Sequence, residues 1–315
     1  MSTEDLISIK ILSVNISEQK GTIKTPVERI ELDEKGVKFD AHSGTWHRQV
    51  SMLGAESISK FEKQAGRNIG FGEFAENITT EGFELYKTAP LDRFVSDNVI
   101  LEVTQIGKSC HGDSCAIFRE VGNCVMPKEG IFCRVIKNGM LKAGDLLNYE
   151  PKIFKAMIIT LSDRASKGVY EDKSGPGAAR LLKTFFDFNN WKFSIDKHII
   201  ADDPLELEKL LQSALDQDYD FIFTTGGTGI GPRDITVDTI KPVLDKEIPG
   251  IMEMIRLKYG ADKPNALVSR AVAGVKGNTL IFTLPGSVKA VNEYLSEITR
   301  SLRHLVMMLH SIDAH

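Results

Sequence analysis

The chain has 315 residues, about two domains' worth of core at roughly 150 residues per domain. With 42% hydrophobic and 26% charged residues it lies in the ordinary globular range, which excludes collagen-like, low-complexity and fully disordered readings. A net charge of −4 gives no basic field for gripping nucleic acid, and no apolar run approaches the roughly 20 residues needed to cross a bilayer.

The N-terminal stretch MSTEDLISIKILSV has neither the basic nor the apolar region of an export signal, so a soluble, cytoplasmic protein is expected. Short alternating or β-branched runs at residues 7–16, 99–104 and 131–136 predict strands, with one helical stretch at 54–64. This half is expected to be β-rich. A polar, proline-containing joint at Glu150-Pro151-Lys152 divides the chain into residues 1–150 and 151–315.

Beyond the joint, apolar strands alternate with amphipathic helices: strand at 155–161, helix at 177–188, strand at 193–200. Asp203-Pro204-Leu205-Glu206 then supplies a cap, a proline at the first helical position and an acid three residues after the cap. Strands follow at 221–225 and 279–284, and Ser287 opens a long helix towards His310. This order predicts an α/β domain, a three-layer, mainly parallel sheet with helices on both faces.

The strongest chemical signal is FIFTTGGTGIGPRDITVD, residues 221–238. A buried strand ends in Thr225-Gly226-Gly227-Thr228-Gly229, and ligands of parallel sheets bind just past the carboxyl ends of strands. Closely spaced glycines let backbone N–H groups approach an anion, although a tight strand-to-helix turn needs the same residues. No Lys-Ser or Lys-Thr closes the loop, so it is not a Walker loop. Arg233 and Asp234 follow directly. Three further strand ends carry polar groups: Ser162-Asp163 after the first strand, Asp202-Asp203 after the second, and Pro285-Gly286-Ser287 after the last. Asp203 and Ser287 also read as helix caps.

Taken in order, SDRASKGVYEDKSG, IIADD, TTGGTGIGPRDITVD, IPGIMEMIR and LPGSVKA closely resemble the MogA/MoaB family of molybdenum cofactor biosynthesis proteins, which includes the G domain of gephyrin. The resemblance covers about residues 153–310. It implies a usually trimeric fold that binds molybdopterin, a dithiolene pterin phosphate, and in the MogA branch the Mg2+- and ATP-dependent adenylylation of that substrate. The family's two essential aspartates fall on Asp202 and Asp234, with Asp234 helping to hold magnesium. Gly226, Gly227, Thr228 and Gly229 would cradle phosphate beside Thr225. Weaker carry-overs are Ser162, Asp163, Glu253, Pro285, Gly286 and Ser287. The Gly231-Pro232 pair before Arg233 is a departure that bears on nucleotide affinity. A carrier of molybdopterin or of the finished cofactor, without catalysis, is the alternative, and a metal-insertion protein or molybdoenzyme is the implied downstream partner.

All four cysteines lie in the first half, between Cys110 and Cys133. There VKFDAHSGTWHRQVSML, FGEFAENITTEG, LEVTQIGKSCH, EGIFCRVIKNG and LKAGD resemble the MOSC domain, a β-rich fold found at the C-terminus of molybdenum cofactor sulfurases. The resemblance implies handling of sulfur or binding of the molybdenum cofactor, with Cys110 as the sulfur-carrier candidate. Lys108 is close enough in sequence to lower that thiol's pKa. Cys110, Cys115 and Cys124, with His111, could instead hold zinc, and each thiol has the plainer reading of a small buried hydrophobe. That plain reading is strongest for Cys133, inside a strand. A loop of His42, Trp46, His47 and Arg48 could bind an anionic pterin or be a solvated surface.

Overall fold

A computed structural model describes residues 7–108 and 124–312. The chain divides into two compact units, Met1–Lys152 and Ile153–His315.

The first unit holds eleven strands among its described residues: β1 Ser8–Ile16, β2 Thr25–Val27, β3 Arg29–Asp33, β4 Gly36–Val37, β5 Val50–Gly54, β6 Ile78–Glu81, β7 Arg93–Val95, β8 Ile100–Ile106, β9 Ile131–Lys137, β10 Gly139–Lys142 and β11 Leu146–Glu150. Pairing runs β11-β7-β8-β9-β5-β6-β1, and β1 pairs back onto β11, so seven strands close into a barrel. Closure leaves those seven strands without free edges, so this β-rich half is a barrel and not an open sheet. Its interior is filled by Ile9, Ile11, Val14, Val50, Met52, Leu101, Val103, Ile131 and Cys133. Strict alternation along β1 would have sent residue 13 inward. A bulge between Ile11 and Ser13 shifts the register, so Val14 takes that place and buried Ser13 bonds Asn15. Helix α1, Ala55–Ala65, packs Ile58 and Phe61 against Leu53, Phe74, Phe132 and Met126 of the short helix α2, Met126–Glu129.

In the second unit the order is β12 Ile153–Leu161, α3 Asp163–Ser166, α4 Ser174–Phe188, β13 Lys192–Ile200, α5 Pro204–Asp216, β14 Phe221–Thr225, α6 Thr236–Ile240, β15 Lys246–Glu247, α7 Pro249–Gly260, β16 Ala273–Lys276, β17 Thr279–Leu284 and α8 Val288–Leu309. The sheet runs β13-β12-β14-β17-β16-β15. Its first four strands are parallel, while β16 and β15 are antiparallel, so the expected mainly parallel sheet is a mixed one. The reason is local. Lys276 pairs with Thr279, leaving Gly277-Asn278 as a two-residue connection, and a connection that short joins only antiparallel strands. Gly277, at φ +57°, supplies the left-handed turn conformation.

Alternation along β12 divides the side chains between the faces. Met157, Ile159 and Leu161 meet Leu207 and Leu211 of α5 and Val237 and Ile240 of α6. On the opposite face Phe154 stacks on Trp191 at 4.2 Å, and Phe186 of α4 lies 5.6 Å from Phe221. Helix α8 packs on α4 over that face. The Asp203 carboxylate caps α5 by accepting from Leu205 N at 2.8 Å with Pro204 at the first turn, and Ser287 caps α8 through Ala290 N. No helix among the described residues is long and apolar enough to cross a membrane.

Candidate functional site

Parallel register brings the carboxyl ends of β12, β14 and β17 together, and the loops leaving them form one polar edge. At Gly226 this edge packs directly against backbone. The Gly226 N–H donates to Leu284 O at 2.9 Å, its φ is +104°, and a Cβ there would lie 2.4 Å from Leu161 O. Gly227, at φ +63°, would drive a Cβ to 2.3 Å from Thr236 Oγ1. Thr236 folds the loop back onto α6: its hydroxyl donates to Gly226 O at 2.8 Å and its N–H to Gly227 O at 3.2 Å.

Two contiguous cavities open on this edge. They share Leu161, Ser162 and Arg164 as a common wall. The first, about 360 Å³, is lined by Ser162, Asp163, Arg164, Asp202, Gly227, Arg233 and Asp234, so it gathers three carboxylates and two guanidinium groups. The second, about 440 Å³, is lined by Tyr170, Asp172, Lys173, Ser174, Thr225, Gly286 and Ser287. It opens on the N-terminus of α8, where the helix dipole favours an anion, with Arg164 and Lys173 adding positive charge and Asp172 a negative one.

In the first cavity Asp163 accepts from Asp202 N at 3.2 Å and from Arg233 Nη1 at 2.8 Å. The Asp202 N–H and the Arg233 guanidinium hold its carboxyl below the usual carboxylate value. Asp202 moves the other way. Burial, together with the like charges of Asp163 and Asp234, pushes it above that value, and Arg233 offsets part of the rise. Asp234 accepts from Gly231 N at 2.7 Å, which fixes one carboxylate oxygen against its own loop. No group of three or more His, Cys, Asp or Glu among the described residues could hold a metal ion by itself. Hard carboxylate oxygens on Asp202 and Asp234 do fit magnesium, which takes one or two protein carboxylates and completes its shell with water and substrate phosphate.

The second cavity is organised by a carboxylate that sequence reasoning passed over. Asp172 accepts from Ser174 N, Ser174 Oγ, Gly175 N and Thr160 Oγ1 at 2.8–3.1 Å, and so caps α4. Burial works to raise its pKa, but these four donors outweigh it and hold the carboxyl below its usual value. Thr225 Oγ1 donates to Ser174 Oγ at 3.0 Å, extending the hydroxyl chain to the end of β14. An Asp two residues before a helix-opening Ser was the available signal. Arg270 was also missed. It bonds Gly229 O, Asp234 O and the Asp238 carboxylate from more than thirty residues further along, and no local pattern announces that contact.

Of the sequence candidates, Ser162, Asp163, Asp202, Gly227 and Asp234 line the first cavity, and Ser162, Thr225, Gly286 and Ser287 the second. Gly226, Thr228, Gly229 and Pro285 build the edge without lining either. Thr228 is buried, and its carbonyl accepts from Arg270 N at 2.9 Å. Glu253 is exposed on α7 and faces neither cavity.

In the barrel unit Cys110, His111 and Cys115 lie outside the described residues. Cys124 is partly buried beside a cavity of about 160 Å³ lined by Ser57, Lys60, Gln64, Lys128 and Glu129. Cys133 is fully buried, 3.6 Å from Met52 Sδ, and desolvation pushes its thiol far up, so it packs as an apolar residue. His42, Trp46 and Arg48 form one cluster: Trp46 Nε1 donates to His42 O at 2.9 Å and the Arg48 guanidinium lies 4.7 Å above the Trp46 ring. Lys108 and Arg48 both approach the Phe132 ring, at 5.9 and 6.0 Å.

Residues 157–304 match the family model of a probable molybdopterin binding domain, and residues 40–148 that of the MOSC domain. A molybdopterin adenylyltransferase of Helicobacter pylori is 37% identical over 153 residues, covering 48% of this chain and 85% of that protein. Molybdenum cofactor biosynthesis protein B of Staphylococcus aureus is 40% identical over 157 residues, covering 48% and 89%. Gephyrin of Dictyostelium discoideum is 36% identical over 160 residues, 49% of this chain but only 22% of gephyrin. The chain thus belongs to the MogA/MoaB family of molybdopterin-binding proteins through its second unit, and carries a MOSC domain in its first.

Proposed function

We propose that the second unit transfers an adenylyl group from ATP to the phosphate of molybdopterin, and that the MOSC unit receives, sulfurates or passes on the cofactor. The supporting observation is the pair of contiguous cavities, one lined by Asp163, Asp202 and Asp234 and one opening on the N-terminus of α8 beside Arg164 and Lys173, with a shared wall at Ser162. A molybdopterin phosphate at the N-terminus of α8 would present an oxygen across that wall. That oxygen attacks the α-phosphorus, the α–β phosphoanhydride breaks, and pyrophosphate leaves with the electron pair. Two anions must be brought together, so catalysis is mainly positioning and charge neutralisation. Magnesium held by Asp202 and Asp234 would neutralise charge on the nucleotide phosphates. Arg233 can add its guanidinium to the same phosphates once it exchanges Asp163 for them. Thr225 and Ser174 hold the floor of the second cavity in place.

Covalent joining of the two units would raise the effective concentration of one site at the other to roughly millimolar, which favours a hand-off between adenylylation and sulfur chemistry. The test is the full chain with molybdopterin, ATP and magnesium. Adenylyl-molybdopterin and pyrophosphate are expected in equal amounts, with both lost in Asp202→Asn and Asp234→Asn. Binding of molybdopterin without either product would replace this reading with that of a carrier.

A further inference from the structure

We infer that Arg270 is a positioning residue that fixes the glycine loop and, through it, the Asp234 carboxylate for the metal-bound nucleotide; this rests on the adenylyl-transfer reading. Arg270 lies in the segment between α7 and β16, outside every motif of the sequence analysis. Its side chain reaches three separate points of the loop. Nε donates to Gly229 O at 2.7 Å, Nη2 to Asp234 O at 2.8 Å, and Nη1 and Nη2 grip the two Asp238 oxygens at 2.8 and 3.0 Å. Its own N–H adds a bond to Thr228 O at 2.9 Å.

This arrangement engages three loop carbonyls, those of Thr228, Gly229 and Asp234, which would otherwise be acceptors next to a bound phosphate. It also pins the Asp234 backbone on one side while Gly231 N pins its carboxylate on the other, so the side chain has little freedom left. The segment that carries Arg270 is braced in turn: Arg256 of α7 donates to Ser269 O at 3.3 Å and Ala271 O at 3.1 Å, the carbonyls on either side. Only a planar fork can serve a carboxylate and two carbonyls at once. A lysine keeps the charge but presents a single compact ammonium.

The second cavity contains none of these loop contacts, which makes the expected effect selective. In the full chain, with Mn2+ and ATP as the probe and free Mn2+ read by electron paramagnetic resonance, Arg270→Lys should weaken binding of the Mn2+–ATP complex about tenfold or more. Molybdopterin affinity should stay within about twofold, because α4 and α8 are untouched. Asp238→Asn keeps the fold's contacts and one arm of the fork, and should weaken Mn2+–ATP less, with the double variant no worse than Arg270→Lys. Unchanged Mn2+–ATP affinity in both single variants, or a parallel loss of molybdopterin affinity, would overturn the assignment. A wild-type chain that binds molybdopterin but no Mn2+–ATP would instead remove the adenylyl-transfer reading, and this assignment with it.

Discussion

Gly226→Ala is the sharpest test of how the site edge is built. Gly226 sits at φ +104°, and an added Cβ would lie 2.4 Å from Leu161 O, a backbone atom that cannot swing away. Gly168 has a similar left-handed backbone, φ +69°, but nothing lies within 4 Å of its missing Cβ. Both substitutions incur the conformational penalty, about 1–2 kcal/mol for an L-residue in that region. Only Gly226→Ala adds overpacking, about 1–3 kcal/mol, because the ends of β12 and β14 must separate. The expected loss is therefore about 2–5 kcal/mol at Gly226 and about 1–2 kcal/mol at Gly168. The chain has two tryptophans, one in each unit, and Trp191 is buried against Phe154. In a Trp46→Phe background, Trp191 fluorescence during urea unfolding reports the second unit alone. Equal losses at the two glycines would refute the close-approach account of the loop.

Two further outcomes follow from buried or crowded charge. Asp202 has a raised pKa in the folded state, so its ionised form costs stability at neutral pH, and that cost is relieved as pH falls through the raised value. Asp202→Asn should thus raise the thermal midpoint of the second unit at pH 7 while lowering adenylyl transfer about 100-fold or more; a lowered midpoint would contradict the electrostatic picture. In the barrel unit, Lys24 and Asp40 form an ion pair with side chains 0% and 1% exposed. Burial lowers the Lys24 pKa, while His42 and Lys24 together hold Asp40 below the carboxylate range. Lys24→Met leaves that carboxylate buried without its ammonium partner, with His42 and the Ser17 and His42 N–H groups remaining, and should cost about 3–5 kcal/mol, read from Trp46 in a Trp191→Phe background. A change below 1 kcal/mol would mean that water reaches the pair.

How much of the fold was legible depends on the range of the interaction that decides each element. Alternation of buried strands with capped helices is local, and it located β14, β17 and the caps Asp203 and Ser287 from spacing alone. Barrel closure is not local. It needs β1 to pair with β11 across almost the whole unit, and the hydrophobic pattern of β1 contains a bulge that interrupts its period. The antiparallel β16 escaped for a different reason: Gly277-Asn278 is a legitimate hairpin signal, but it sits inside a segment where every preceding connection is a helical crossover.

The site divides along the same line. Residues that act where a strand stops, such as Ser162, Asp202, Gly227 and Ser287, were visible because the strand end itself is visible, and strand ends in a parallel sheet meet at one edge whatever the intervening sequence. Residues that hold those groups still come from elsewhere. Arg270 and Arg256 have ordinary sequence surroundings, and their roles exist only once the segment before β16 is laid beside the glycine loop. Sequence reading therefore finds the groups that would touch substrate more readily than the groups that set their geometry. The electrostatic difference between Asp163 and Asp202 makes the same point. Both are aspartates at strand ends, yet an arginine and a backbone N–H drive one carboxyl down while burial and two like charges drive the other up. On the adenylyl-transfer reading proposed above, the Asp163 carboxylate, already paired with Arg233, would be the less available of the two to magnesium.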